Sequence, residues 1–288
     1  CVGCSIGCGL DVLTRNNNLV RIEGNWDASV NEGVICEIGR FKPLANTCER
    51  ISTPLVRKGG VLKAATWEEA LSVAADQIKP LKGKGKDGIA AIVSTRQPVE
   101  TIYHFKKLFG DGLGSDLVTT TEEGTFTGTT AKYAAELGKS FEGKLADVLD
   151  ADGFMVLGAD LVKDHQVLGF FVKRVLANGV KLLTVDSKDN SLADLANKAM
   201  KYSKGSAEEF LKALTAAIVK LGLAKGKTSI KAEELDNLAN KTGLKSEDYL
   251  DAAFVIASNA KPVILYEKGV SPAELKTFAE LIGAALVS

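Results

Sequence analysis

The cysteine spacing constrains this chain more than any other feature. Cys1, Cys4 and Cys8 stand in the opening stretch CVGCSIGC, and the next cysteine, Cys36, follows after 27 further residues. Four thiolates are a soft ligand set that suits an iron–sulfur cluster or zinc. Structural zinc sites usually combine two closely spaced pairs, whereas this spacing is three plus one. The pattern therefore favours a [4Fe–4S] cluster bound by these four cysteines, with zinc or unmetallated thiols as alternatives.

The composition indicates the cellular compartment and the classes of partner that such a site would have. Cys48, the fifth cysteine, lies outside the spacing and is interpreted as a partly buried free thiol. Cysteines bunched near one end are not typical of a disulfide framework, so we expect a reducing, cytoplasmic compartment. The 36 basic and 36 acidic residues cancel, which argues against nucleic acid as a partner. No apolar run reaches the roughly 18–20 residues that cross a bilayer, so we expect no membrane insertion.

The pattern along the chain predicts an α/β fold. The stretch at 10–24 alternates in polarity and turns at Asn16–Asn18, as in a β-hairpin, which predicts a small β-rich cluster module. Beyond it, apolar strands alternate with helical segments, which predicts doubly wound parallel-sheet, Rossmann-like domains. Thr66 and Glu69 form a capping box at the start of one such helix. Breaks in the pattern divide the chain into the cluster module (1–55), a first α/β segment (56–140) and a second Rossmann-like domain (141–288).

Several stretches together resemble a known family. They are CVGCSIGCGL, LVRIEGNWDASVNEGVICEIGRF, RISTPLVRKGGVLKAATWEEAL, LADVLDADGFMVLGADLVKDHQVLG, NGVKLLTVDSKDN, KGSAEEFLKAL and AKPVILYEKGVSPAEL. The chain resembles the N-terminal portion of the molybdopterin oxidoreductase superfamily, which includes formate dehydrogenases, periplasmic nitrate reductases and the large iron–sulfur subunit of respiratory complex I. The resemblance implies a [4Fe–4S] cluster on Cys1, Cys4, Cys8 and Cys36. It also implies an α/β body that clasps a bis-pterin guanine dinucleotide with molybdenum or tungsten.

The chain departs from the family pattern where the pterin would be held. Residues 117–137 align with the segment that usually ligates the metal, and they contain no cysteine. Ile38, in CEIGR, stands where the family places a lysine between cluster and pterin. Asp160 replaces an asparagine, and Asp186 stands where catalytic relatives place an arginine, with Lys188 displaced from that position. The sequence also stops near residue 288, whereas catalytic members continue. We therefore expect these loops to preserve the fold rather than to bind a dinucleotide.

These observations favour an iron–sulfur electron-transfer subunit of a multi-subunit oxidoreductase that is NADH-, hydrogen- or formate-linked. The subunit is most like that of complex I, has no catalytic residues of its own and partners other iron–sulfur or flavin subunits. The alternative is a fragment of a catalytic molybdenum or tungsten bis-pterin enzyme such as a formate dehydrogenase. A structural module with zinc or no metal is the third interpretation. His165 is expected to be structural and His104 to lie on a helix without a role. Because the chain opens on Cys1 rather than Met, we expect the natural polypeptide to extend upstream.

Overall fold

The structure is a computed structural model that describes residues 1–4, 6–45, 49–84, 88–121, 145–267 and 270–287. The chain forms two compact units, one of Cys1–Leu44 with Lys132–Ser288 and the other of Ala45–Ala131. The division of the chain at residues 55 and 140 stays a prediction. No helix of the described residues is both long enough and apolar enough to cross a membrane.

The first unit opens with the predicted hairpin. Strands β1 (Leu10–Arg15) and β2 (Asn18–Gly24) pair antiparallel. Asn16 and Asn17 lie between them with φ of 51° and 61°. Asparagine tolerates this left-handed region better than most residues, and two such residues in a row match the right-handed twist of the flanking strands. A short helix, α1 (Glu37–Phe41), follows directly after Cys36.

A five-stranded parallel sheet forms the body of the same unit. The strands are β7 (Gly153–Leu157), β8 (Lys181–Asp186), β9 (Lys198–Lys201), β10 (Pro262–Tyr266) and β11 (Ala285–Val287). Their spatial order is β11, β10, β7, β8, β9, which places the first strand of the series at the centre. This order winds in both directions from β7, as predicted for a doubly wound sheet.

Helices cover both faces of this sheet, so its central strands are buried throughout. Met155 and Leu157 of β7 face one apolar core, and Phe154 and Val156 face the other. Burial on both faces explains why GFMVL is continuously apolar instead of alternating. The helices of the unit beyond α1 are Leu145–Leu149, Leu161–Asp164, Gln166–Leu176, Ala207–Lys220, Leu235–Thr242, Ser246–Ala257 and Pro272–Ile282.

The described residues of the second unit form a hairpin, a parallel strand pair and two main helices. Its helix Trp67–Ile78 begins at Thr66, whose hydroxyl accepts a hydrogen bond from Glu69 N (3.2 Å), which confirms the predicted N-cap. His104 lies on the helix Val99–Lys106, as predicted. That helix continues into a wider, π-type turn at Lys107–Gly112. Strands β3 (Leu55–Lys58) and β4 (Val61–Ala64) pair antiparallel, and β5 (Ala90–Val93) and β6 (Leu117–Thr120) pair parallel.

Candidate functional site

The four predicted cysteines line a single cavity in the first unit. Cys1, Cys4, Cys8 and Cys36 all contribute to its wall, together with Gly3, Gly7, Ile35, Ile38, Gly39 and the segment Lys163, Asp164, Gln166 and Val167. Cys8 is buried, Cys36 is half-buried, and Cys1 and Cys4 are exposed. In the sequence 27 residues separate Cys8 from Cys36, and the fold brings Cys36 to the other three cysteines.

Backbone N–H groups already point at two of the sulfurs. Cys36 is the N-cap of α1, and its Sγ accepts a hydrogen bond from Gly39 N at 3.3 Å. Gly3 N donates to Cys1 Sγ at 3.4 Å. A Cβ on Gly39 would lie 3.2 Å from Ile35 Cγ1 and 3.6 Å from Cys1 Sγ, so a side chain there would crowd the cavity. Such N–H···S bonds stabilise thiolates and tune the potential of clusters bound by them.

Asn31 connects the two halves of the cysteine set. Its side chain is fully buried, and its Oδ1 accepts from Gly9 N at 2.8 Å. Its Nδ2 donates to Gly9 O at 3.2 Å and to Val34 O at 2.8 Å. Gly9 follows Cys8 and Val34 precedes Cys36 by two residues, so a single amide fixes the distance between the two ligand segments. Asn31 was not predicted as a site residue, because a lone asparagine in a turn carries no signal of a long-range bridge.

Close backbone packing holds the same loop against the hairpin. A Cβ on Gly24 would lie 2.3 Å from Gly33 O, and a Cβ on Gly9 would lie 2.5 Å from Ala28 Cβ. Only glycine therefore allows these segments to approach so closely. Cys8 also belongs to the apolar core that contains Phe154 and Val156 of β7, which anchors the cysteine loop to the sheet.

Burial and neighbouring thiols disfavour a free thiolate at Cys8. Desolvation raises the pKa of the Cys8 thiol above its ordinary value, and proximity to Cys4 and Cys36 raises it further. A buried thiol such as Cys8 is brought to the thiolate form most effectively by a bound cation or cluster. No group of three His, Cys, Asp or Glu side chains among the described residues is placed to hold one metal ion. In a cubane each of four thiolates binds a different iron, and four cysteines line this cavity.

The carboxyl end of the parallel sheet borders this cavity. Strand β7 ends at Leu157, and Gly158 turns the chain with φ of +64°. Asp160 then caps the helix Leu161–Asp164, with Oδ1 3.4 Å from Lys163 N and Oδ2 2.9 Å from Lys163 Nζ. Ser191 Oγ donates to Asp160 Oδ2 at 2.8 Å. The turn where a dinucleotide would approach is thus occupied by hydrogen bonds within the chain.

The charge state of this edge follows from those bonds. Desolvation raises the pKa of Asp160, but the hydrogen bonds from Lys163 and Ser191 outweigh it and hold that pKa below its ordinary value. Asp160 is therefore a carboxylate at neutral pH. Asp186, at the end of β8, accepts from Lys188 N (3.1 Å) and Asn190 Nδ2 (3.4 Å).

His165 lies between the two short helices of this edge. Its Nε2 is 3.7 Å from Glu267 Oε1, and its buried Nδ1 has no hydrogen-bond partner among the described residues. The expectation of a structural hydrogen bond is therefore not met at Nδ1. Cys48 and most of the 117–137 segment, from residue 122 onward, lie outside the described residues.

Comparison with known proteins agrees with this architecture. The family model described as "Molybdopterin oxidoreductase Fe4S4 domain" matches residues 1–43, and that described as "Molybdopterin oxidoreductase" matches residues 50–270. A nitrate reductase of Symbiobacterium thermophilum is 28% identical over 77% of this chain and 30% of its own length. The alpha subunit of an F420-dependent formate dehydrogenase of Methanococcus maripaludis is 24% identical over 94% of this chain and 42% of its own length.

A solved structure shows the same fold. The acetylene hydratase from Pelobacter acetylenicus superposes with a TM-score of 0.74 at 17% identity, covering 98% of this chain and 43% of that one. The present chain thus spans less than half the length of each of these proteins.

Proposed function

Because the chain belongs to the molybdopterin oxidoreductase family and carries its Fe4S4 domain, we propose that it is an electron-transfer subunit of a multi-subunit oxidoreductase. The observation that carries the proposal is the convergence of Cys1, Cys4, Cys8 and Cys36 on one cavity. These four thiolates would hold a [4Fe–4S] cluster, which supplies one-electron transfer when bound. The chain itself excludes water where Cys8 is buried, and it directs the N–H groups of Gly3 and Gly39 at the sulfurs.

The surroundings of the cavity support a body without a pterin. Ile38 lines the cavity and offers neither charge nor hydrogen bond toward a second cofactor. The Asp160 carboxylate stands at the turn after β7, where Lys163 counters its charge. Lys163 and Ser191 are already engaged with that carboxylate. In this proposal the α/β body is a scaffold and docking surface for other redox subunits.

The proposal extends to the subunits that exchange electrons with this chain and to its cellular compartment. We propose that iron–sulfur or flavin subunits donate to or accept from this chain, as in complex I-like assemblies, within the reducing cytoplasm. The balanced formal charge of zero agrees with the absence of nucleic acid from this set of partners.

A catalytic fragment is the second candidate. The relatives named nitrate reductase and formate dehydrogenase favour it, and so does the family match over residues 50–270. In that case molybdenum or tungsten would be bound through a bis-pterin, and a metal ligand would lie in the segment 117–137.

Elemental analysis of the anaerobically purified protein separates these candidates. We expect Cys36→Ala to lower the iron content by about four atoms per chain, as loss of one cubane requires. Cys48→Ala, the matched control, should leave the iron unchanged. Equal iron in the parent and the Cys36 variant would refute the cluster assignment. Stoichiometric molybdenum or tungsten in the parent would refute the electron-transfer proposal in favour of the catalytic fragment.

A further inference from the structure

The cluster cavity has one wall that the cysteine motif does not contain. Lys163, Asp164, Gln166 and Val167 line it, and they come from the segment that leaves strand β7 at the centre of the sheet. Lys163 is the only basic side chain among the described residues that line the cavity. Ile38, on the opposite α1 side, adds no charge.

One hydrogen bond joins this wall to the cysteine module, and further bonds lie within the wall. Gln166 Oε1 accepts from Glu37 N, the residue after Cys36, at 3.3 Å. The Asp160 carboxylate accepts a hydrogen bond from the Lys163 backbone nitrogen and pairs with Lys163 Nζ at 2.9 Å. The Asp160 side chain is 12% exposed and is held in turn by Ser191. Lys163 thus lines the cavity with its Nζ paired to Asp160, and its side chain is 67% exposed.

We infer that the Asp160–Lys163 pair tunes the reduction potential of the cluster, with the Lys163 ammonium favouring the reduced form and the Asp160 carboxylate favouring the oxidised form. The inference rests on the proposed cluster at the four cysteines. Reduction adds one negative charge to the cage, so a cation in the wall favours the reduced form and a carboxylate disfavours it. Removing either member should therefore shift the potential, in opposite directions.

The test is an EPR-monitored redox titration of the anaerobically purified protein and four variants. Lys163→Gln should lower the midpoint potential, with the oxidised-to-reduced ratio at a fixed potential rising about three- to tenfold, a tenfold change being 59 mV for one electron. Asp160→Asn should raise the midpoint. Lys163→Arg keeps the charge and should stay near the parent. Lys181→Gln is the matched control, because Lys181 begins strand β8 at the opposite, amino end of the sheet.

The signs distinguish an electrostatic role from a structural one. Loosening of the wall would admit water in both the Lys163→Gln and Asp160→Asn variants and would shift both midpoints in the same direction, which would overturn the inference. A Lys163→Gln midpoint equal to that of Lys181→Gln would also overturn it. If Lys163→Gln does not retain iron, Asp160→Asn decides alone, since an unchanged or lowered midpoint overturns the inference and a raised one supports it. A parent protein without a cluster signal would instead refute the proposed function.

Discussion

Asn31 is the residue whose replacement should most clearly separate folding of the cysteine module from binding at its thiols. Asn31→Ala removes one accepted and two donated hydrogen bonds from a fully buried position. It leaves Gly9 N and Val34 O without the partner they have in the structure. Gly9 O retains a second partner, because Asn25 N also donates to it at 3.0 Å.

The magnitude follows from those two stranded groups. A buried polar group that loses its partner costs about 1–3 kcal/mol. Gly9 and Val34 are half-buried, so water reaches them in part, and we expect a loss of about 3 kcal/mol in the free energy of unfolding. That is a large share of the roughly 5–15 kcal/mol that stabilises a typical domain. Cys36 would then be held less closely to Cys8, and cluster occupancy should fall with it.

Denaturant unfolding of the cluster-free protein, followed by circular dichroism, measures the free energy, and iron content of the purified protein measures occupancy. Asn18→Ala is the matched control, since its amide donates to Asn16 O at the exposed hairpin turn and should change little. Asn31→Asp keeps the size but places a carboxylate oxygen against Gly9 O and Val34 O, so it should destabilise at least as much as alanine. An Asn31→Asp protein as stable as the parent would refute the reasoning.

Two further predictions concern the sheet unit. Burial raises the pKa of Tyr249 to about 12, so its neutral form is favoured in the folded state. This contribution is complete below pH ~10, the unfolded value, and is lost as pH rises toward 12. Thr242 Oγ1 donates to Ala239 O, so the Tyr249 hydroxyl is the donor in its bond to Thr242. Tyr249→Phe should therefore flatten the fall of stability between about pH 9 and 11, measured by thermal melts at several pH values. An equally steep fall in the variant would contradict the assignment. The Asp152 carboxylate accepts from Ala260 N (2.7 Å) and Lys261 N (2.8 Å). Asp152→Ala should therefore lower the free energy of unfolding by about 1.5–3 kcal/mol, and a loss under about 0.5 kcal/mol in urea titration would contradict this.

Local pattern was sufficient for the elements that form from neighbouring residues. The turn at Asn16–Asn17, the N-cap at Thr66 and the continuously apolar strand Gly153–Leu157 were all predicted from side-chain type and spacing. Strands β9 and β11 were not predicted, because KAMK and ALV are too short to show a period and owe their conformation to pairing with β8 and β10.

The candidate site divides in the same way. The four cysteines could be named from their spacing, since a cluster imposes its ligand pattern on the sequence. Asn31 and the wall at 163–167 could not, because each acts through contacts between segments far apart in the chain. The contact from Gln166 to Glu37 joins residues 129 positions apart. The residues next to Glu37 and Gln166 in the sequence do not predict this contact.

The long sequence separation between the cysteines and the wall at 163–167 means that the ribosome synthesises the cysteines well before the wall. All four thiols lie within the first 36 residues of the sequence, whereas the wall that completes their cavity begins at Lys163. A ribosome that adds roughly 5–20 residues per second needs on the order of ten seconds to cover that interval. Throughout it the residues from Lys163 onward that line the cavity have not yet been synthesised. A cluster delivered in that window would enter a half-built cage, and the finished sheet would then close over it.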